Sequence, residues 1–247
     1  ETHLLPFSFR EVLRCEGVEP PTDLDLVGKD LRSRLENLCE RYLLIGGFPE
    51  VQPLSDFDRR QVLQGYVNVV IFRDVIERYG VTNVALLRRL IQQLLSNPAG
   101  MFTVHKFYCD TKSQGLRCSK NTVFDSLDYL QDCFMVHPVE LWAESERRRQ
   151  TNPWKMYPAD TGLSEAYRFH HKEPSGQLLE TAVLVELLRR QCAVHYVRTS
   201  GGYEVDFLVE DPCGGSHLIQ VCAELSSKQT ALREERSLRQ AMNELKQ

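Results

Sequence analysis

The last third of the chain constrains the fold most, because it sets acidic side chains inside apolar segments. Residues 202–225 read GYEVDFLVEDPCGGSHLIQVCAEL. Two short apolar runs flank a Pro/Gly/Ser turn, which predicts a β-hairpin. Asp206 stands in the first predicted strand. Gln220, Val221 and Cys222 stand in the second. The 178–191 segment before them has helical spacing and places Glu180 on the same side as Val183, Leu184 and Leu187. A carboxylate on an apolar side is unusual unless it is paired or metal-bound, with a first-turn acid facing the helix dipole as the alternative. Strand alternation puts Glu204 and Asp206 on one face, and Gln220 and Cys222 on one face of the next strand.

The bulk properties set limits. The chain has 247 residues and a formal charge of -4, which suits an ordinary protein of two or three small domains and argues against a strongly basic nucleic-acid coat. It contains no apolar run of about 18 residues and no signal-peptide pattern, so no membrane span is expected and the expected location is the cytoplasm. The eight cysteines form no CxxC pair, so buried reduced thiols are the plain reading. The seven histidines show no HExxH pattern, and His170-His171 reads as a solvated turn.

The order of predicted elements is informative. Residues 1–14 read as a strand that breaks at Pro6 and enters a short helix capped by Ser8, with Glu11 completing a capping box. Helical spacing follows over 31–44, ended by Gly46-Gly47-Phe48-Pro49, where the glycines supply a tight turn. A long helix is predicted over 57–79, ending at Gly80. Arg73 and Asp74 on it read as an ion pair. Helices at 84–96, 103–112 and 120–132 precede strands at 134–142 and 155–157, joined by a charged loop. That order is the one of a winged helix. In that reading Lys120, Asn121 and Thr122 begin the helix that meets base edges, with Lys112 and Arg117 near phosphates. Arg147, Arg148 and Arg149 sit in the wing loop, beside Glu144 and Glu146. Residues 159–177 connect to the last part, with strands near 193–198, 203–209 and 217–223 and a charged helix over 228–246.

Two resemblances follow from these residues. An acid on a helix, an Asp on a strand and Glu/Gln-x-Lys on the next strand resemble the PD-(D/E)XK nuclease pattern. Cys222 stands at the lysine position, and nearby Lys228 follows two serines and reads as the start of a solvated helix. Second, PFSFREVL (6–13), GGFPEV (46–51), FRDVIERYGV (72–81), SKNTVFDSLDYL (119–130), YPADTGL (157–163), LLETAVLVELLRR (178–190) and YEVDFLV (203–209) together resemble the prokaryotic AAA-type ATPases that carry a C-terminal domain of unknown function with a nuclease-like fold. The resemblance implies that residues 1–14 close an ATPase core, that the nuclease-like domain runs past Gln247, and that ATP binds only through a P-loop core this sequence does not contain.

The expectation is an α+β chain in three parts. Residues 1–83 form the end of the ATPase core and a helical segment. Residues 84–158 form a winged helix-turn-helix domain, and residues 159–247 a PD-(D/E)XK nuclease-like α/β domain. The leading functional reading is the regulatory, DNA-binding portion of such an ATPase, with cleavage lost. The alternatives are a Mg²⁺-dependent nuclease using Glu180, Asp206 and Gln220, with Mg²⁺ on Glu180 and Asp206, and a protein-interaction module. Expected partners are DNA, the ATPase core and a second copy of the chain, with no membrane.

Overall fold

A computed structural model describes residues 4–23, 25–168, 176–223 and 228–245. The architecture is α+β, with helices surrounding two small antiparallel sheets. Helix α1 (Phe9–Cys15) starts at Ser8, whose side chain accepts from Glu11 N–H while Glu11 answers on Ser8 N–H, the expected capping box. The residues just before it are not a strand: among residues 4–8 the backbone is irregular, and Pro6 has no N–H to give a ladder. Helix α2 (Lys29–Ile45) packs on α1. The long predicted helix is α3 (Asp56–Val69), which loosens into a π-helical stretch over Val70–Ile76 and regains α geometry in α4 (Glu77–Tyr79). Gly80 ends it in the left-handed region, φ 65°. Arg73 and Asp74 are exposed, and among the ion pairs of the described residues none joins them. Adjacent residues on a helix do not face one another.

Helix α5 (Val84–Ser96) turns six buried Leu and Ile side chains into the main core. Strand β1 (Gly100–Phe102), unforeseen in the sequence, helix α6 (Val104–Ser113), helix α7 (Lys120–Asp132) and strand β2 (Val136–Val139) follow. The segment read as a charged loop contains a short helix, α8 (Glu146–Thr151). Strand β3 (Trp154–Pro158) then pairs antiparallel with both β1 and β2, giving the order β1-β3-β2. Residues 159–177 are not only a connection, because α9 (Thr161–Tyr167) is a buried helix set against α2, α3 and α5. The His170-His171 pair lies outside the described residues.

Helix α10 (Gly176–Arg189) leads to strands β4 (Ala193–Arg198), β5 (Glu204–Glu210) and β6 (Ser216–Ile219), an antiparallel meander, and helix α11 (Lys228–Leu245) closes the chain against β5 and β6. Gln220, Val221 and Cys222 lie just past the end of β6 rather than inside it.

The two sheets are joined. The chain after β2 runs beside β4, where Trp142 N–H donates to Tyr196 O at 2.7 Å and Tyr196 N–H to Glu140 O at 3.0 Å. Strand β3 is buried on both faces. Met156 belongs to the helical core, while Tyr157 belongs to a second core with Leu184 of α10 and Phe207 and Val209 of β5. Side chains alternate across a strand, so Lys155 shares the face of Tyr157. That alternation places a lysine where the two sheets and α10 meet.

Candidate functional site

Lys155 is 4% exposed, and its ammonium is the centre of a charge cluster. Nζ lies 3.0 Å from Glu180 Oε1 on α10, 2.9 Å from Glu204 Oε1 and 3.0 Å from Asp206 Oδ1, the last two on β5. The i, i+4 spacing of Glu180 and Leu184 on α10 brings the carboxylate to the apolar side, as Leu184 is fully buried. Glu204 and Asp206, two apart on β5, reach the same ammonium, as their spacing predicts.

The remaining contacts complete the cluster. Tyr157 donates its hydroxyl to Glu180 Oε1 at 2.5 Å. Asp206 Oδ2 accepts from Val221 N–H at 3.0 Å, and Asp206 N–H donates to Gln220 Oε1 at 3.3 Å. Arg198 reaches Glu204 Oε2 at 3.2 Å. Gln220 therefore binds the backbone of Asp206 instead of joining the carboxylates.

The electrostatics follow from burial. Desolvation pulls the Lys155 pKa down, but Glu180, Asp206 and Glu204 together outweigh it and hold the ammonium protonated above its ordinary range. Burial pushes the Glu180 carboxyl up, and neighbouring Asp206 adds to this against the pull of Lys155. Burial, followed by the charge of Glu180, raises the Tyr157 phenol, so it remains a donor. One ammonium answers three carboxylates, so loss of Lys155 would leave Glu180 and Asp206 without the cation they face.

Among the described residues, no three His, Cys, Asp or Glu side chains are arranged to hold a metal ion. Cys222 is a half-buried thiol without a disulfide, and the side chain of Lys228 lies outside the described residues. The sequence reading missed Lys155. The signal was present: a lysine between Trp154 and Met156, in phase with Tyr157, sits on a strand whose two faces are both apolar.

The residues expected to meet DNA lie elsewhere. Lys120 and Asn121 are exposed at the start of α7, and Thr122 N–H donates to the capping Ser119 Oγ at 3.0 Å. Lys120 and Lys112 flank the Tyr108 ring, with Nζ at 5.9 Å and 5.6 Å from its centroid. Phe124, one turn after Lys120, is 43% exposed and meets the Trp154 ring edge-on at 6.4 Å. Arg147 and Arg148 are exposed on α8, and Arg149 is half-buried. Two apolar clefts lie along the N-terminal helices. They adjoin along α1 and α2, hold about 280 and 320 Å³, and share Phe9, Arg10 and Cys39 in their linings.

Residues 36–172 match a family described as domain of unknown function DUF8612, and residues 175–247 match domain of unknown function DUF4143. An uncharacterized protein of Methanocaldococcus jannaschii is 26% identical over 251 residues, covering 100% of this chain and 54% of its own length. An uncharacterized protein of Haemophilus influenzae is 25% identical over 209 residues, covering 84% of this chain and 49% of its own. The chain thus spans about half the length of these curated relatives. No solved structure matches significantly. Since the first of the two family matches takes in more than half of the sequence, the chain belongs to the family described as domain of unknown function DUF8612.

Proposed function

We propose that this chain is the DNA-contacting, regulatory portion of a prokaryotic AAA-type ATPase, built on a winged helix and a nuclease-derived fold that has lost cleavage. The observation that carries the DNA reading is the exposed start of α7. Lys120, Asn121 and Phe124 line one side of it, and Phe124 packs on Trp154 at the foot of the segment that holds Arg147, Arg148 and Arg149. Three helices followed by an antiparallel ribbon, with a short strand between the first two, support a winged helix. A helix N-terminus with lysine beside a polar side chain suits a phosphate-flanked groove.

Glu180 on a helix and Asp206 on the adjoining strand support a nuclease ancestry. The link to an ATPase is supported by the match to DUF4143, a domain typically found at the C-termini of AAA-type ATPases, and by relatives of which the aligned segment is about half.

The test is fluorescence anisotropy with labelled duplex and single-stranded DNA at two salt concentrations, with Mg²⁺ and EDTA arms also run on gels. Salt-sensitive binding without cleavage supports the proposal. Cleavage confined to the Mg²⁺ arm and lost in Asp206→Asn replaces it with the nuclease reading. No binding in any arm favours a protein-interaction module, for which the apolar cleft along α1, α2 and α10 is the supporting feature.

A further inference from the structure

The nuclease-like pattern implies a Mg²⁺ ion between the helix acid and the strand acid, and the residues here do not fit one. The ammonium of Lys155 sits within 3.0 Å of one oxygen from each of Glu180, Glu204 and Asp206. Asp206 Oδ2 is taken by Val221 N–H, and Glu204 Oε2 by Arg198. A divalent cation placed among these oxygens would have to displace a buried positive charge. The lysine that would normally stand beside such an ion is replaced by Cys222.

We infer that Lys155 is the resident cation of this cluster. It holds, on a covalent tether, the place a divalent ion takes in metal-dependent phosphodiesterases, and it locks β3 to α10 and β5. The inference rests on the nuclease-derived reading of the fold. It deepens that reading by naming what replaced the metal. A single strand then couples two units: Trp154 of β3 touches Phe124 of the proposed DNA-contacting helix, while Lys155, the next residue, fastens the C-terminal sheet. No metal is needed for the two to move as one body.

The experiment uses heat and Mn²⁺ without DNA, so its outcome is independent of whether DNA binds. Wild type is expected to leave the Mn²⁺ paramagnetic resonance spectrum that of the free ion, and to melt at one temperature in Mn²⁺ and in EDTA. Lys155→Met is expected to lower the melting temperature by roughly 10 °C, because it strands buried carboxylates. Mn²⁺ is expected to raise it again. Mn²⁺ retained by wild type and released by Asp206→Asn overturns the inference, as does a Lys155→Met melt that Mn²⁺ does not move. Should Lys155→Met not yield folded protein, Lys155→Arg keeps the charge and is expected to ignore Mn²⁺. A Mn²⁺ response in Lys155→Arg overturns the inference equally.

Discussion

The backbone N–H of Gly47 donates to Asp160 Oδ2 at 2.6 Å, joining positions 113 apart in sequence. Asp160 Oδ1 accepts from Gly162 N–H at 2.9 Å and so caps α9. Gly47 also exchanges backbone contact with Phe7, whose N–H donates to Gly47 O at 2.7 Å. The joint between the N-terminal helices and α9 is therefore made of backbone held by one buried carboxylate. It leaves no room for side chains: a Cβ on Gly47 would overlap the Phe7 carbonyl oxygen, and one on Gly46, at φ +83°, would overlap Asp160 Oδ1.

Gly47→Ala is expected to destabilise the fold by about 3 kcal/mol, since the overlapping atoms are backbone and cannot swing away. Gly65→Ala is the matched control. Its site is helical and open, so alanine is expected to stabilise by about 0.5–1 kcal/mol. Guanidinium denaturation of the two variants checks both signs.

Burial pushes the Asp160 carboxyl up to about 6 from its ordinary 3.8, against the pull of the Gly47, Gly162 and Leu163 N–H groups. A carboxyl with a raised native pKa keeps its proton longer when folded. The unfolded chain ionises first, so this residue's contribution is fully present below the unfolded value and lost as pH rises through the native one. Wild-type stability relative to Asp160→Asn is expected to fall by up to about 3 kcal/mol between pH values of about 4 and 7. Unfolding free energies of both proteins across that range test it, and a flat difference refutes it.

Tyr157→Phe removes the 2.5 Å hydrogen bond to Glu180. Its acceptor is a partly buried carboxylate, so the expected cost is about 2 kcal/mol. Tyr196→Phe removes a 2.7 Å bond to the neutral Pro153 carbonyl and is expected to cost about 1 kcal/mol. Chemical denaturation ranks the pair.

If α7 and α8 touch phosphates, Lys120→Ala is expected to lower the magnitude of the logarithmic salt slope of DNA binding by about 1. The combined Arg147→Ala, Arg148→Ala, Arg149→Ala variant is expected to lower it by up to about 3. Slopes that match wild type would remove these residues from the interface while leaving the fold untouched.

Much of the secondary structure was legible in local patterns. Helices α5 and α7 were legible to the residue, because apolar residues recur at helical spacing. Strand β1 was not legible, since three residues carry no periodicity and Gly100–Phe102 becomes a strand by pairing with β3. The π-helical stretch was hidden for the same kind of reason. Its apolar residues read as continuous α-helix in the sequence.

The sequence by itself determined the class of acids at the charge cluster: an acid on an apolar helix side and two acids in phase on a strand. Those are local facts, written in spacing and side-chain chemistry. Only the tertiary structure decided which cation answers the acids. Lys155 precedes Glu180 by 25 positions and Asp206 by 51, and no local rule couples residues that far apart. The coupling arises because β3 is sandwiched between two apolar cores. Its alternate side chains must face both, and a lysine on the second face is stable only where carboxylates meet it.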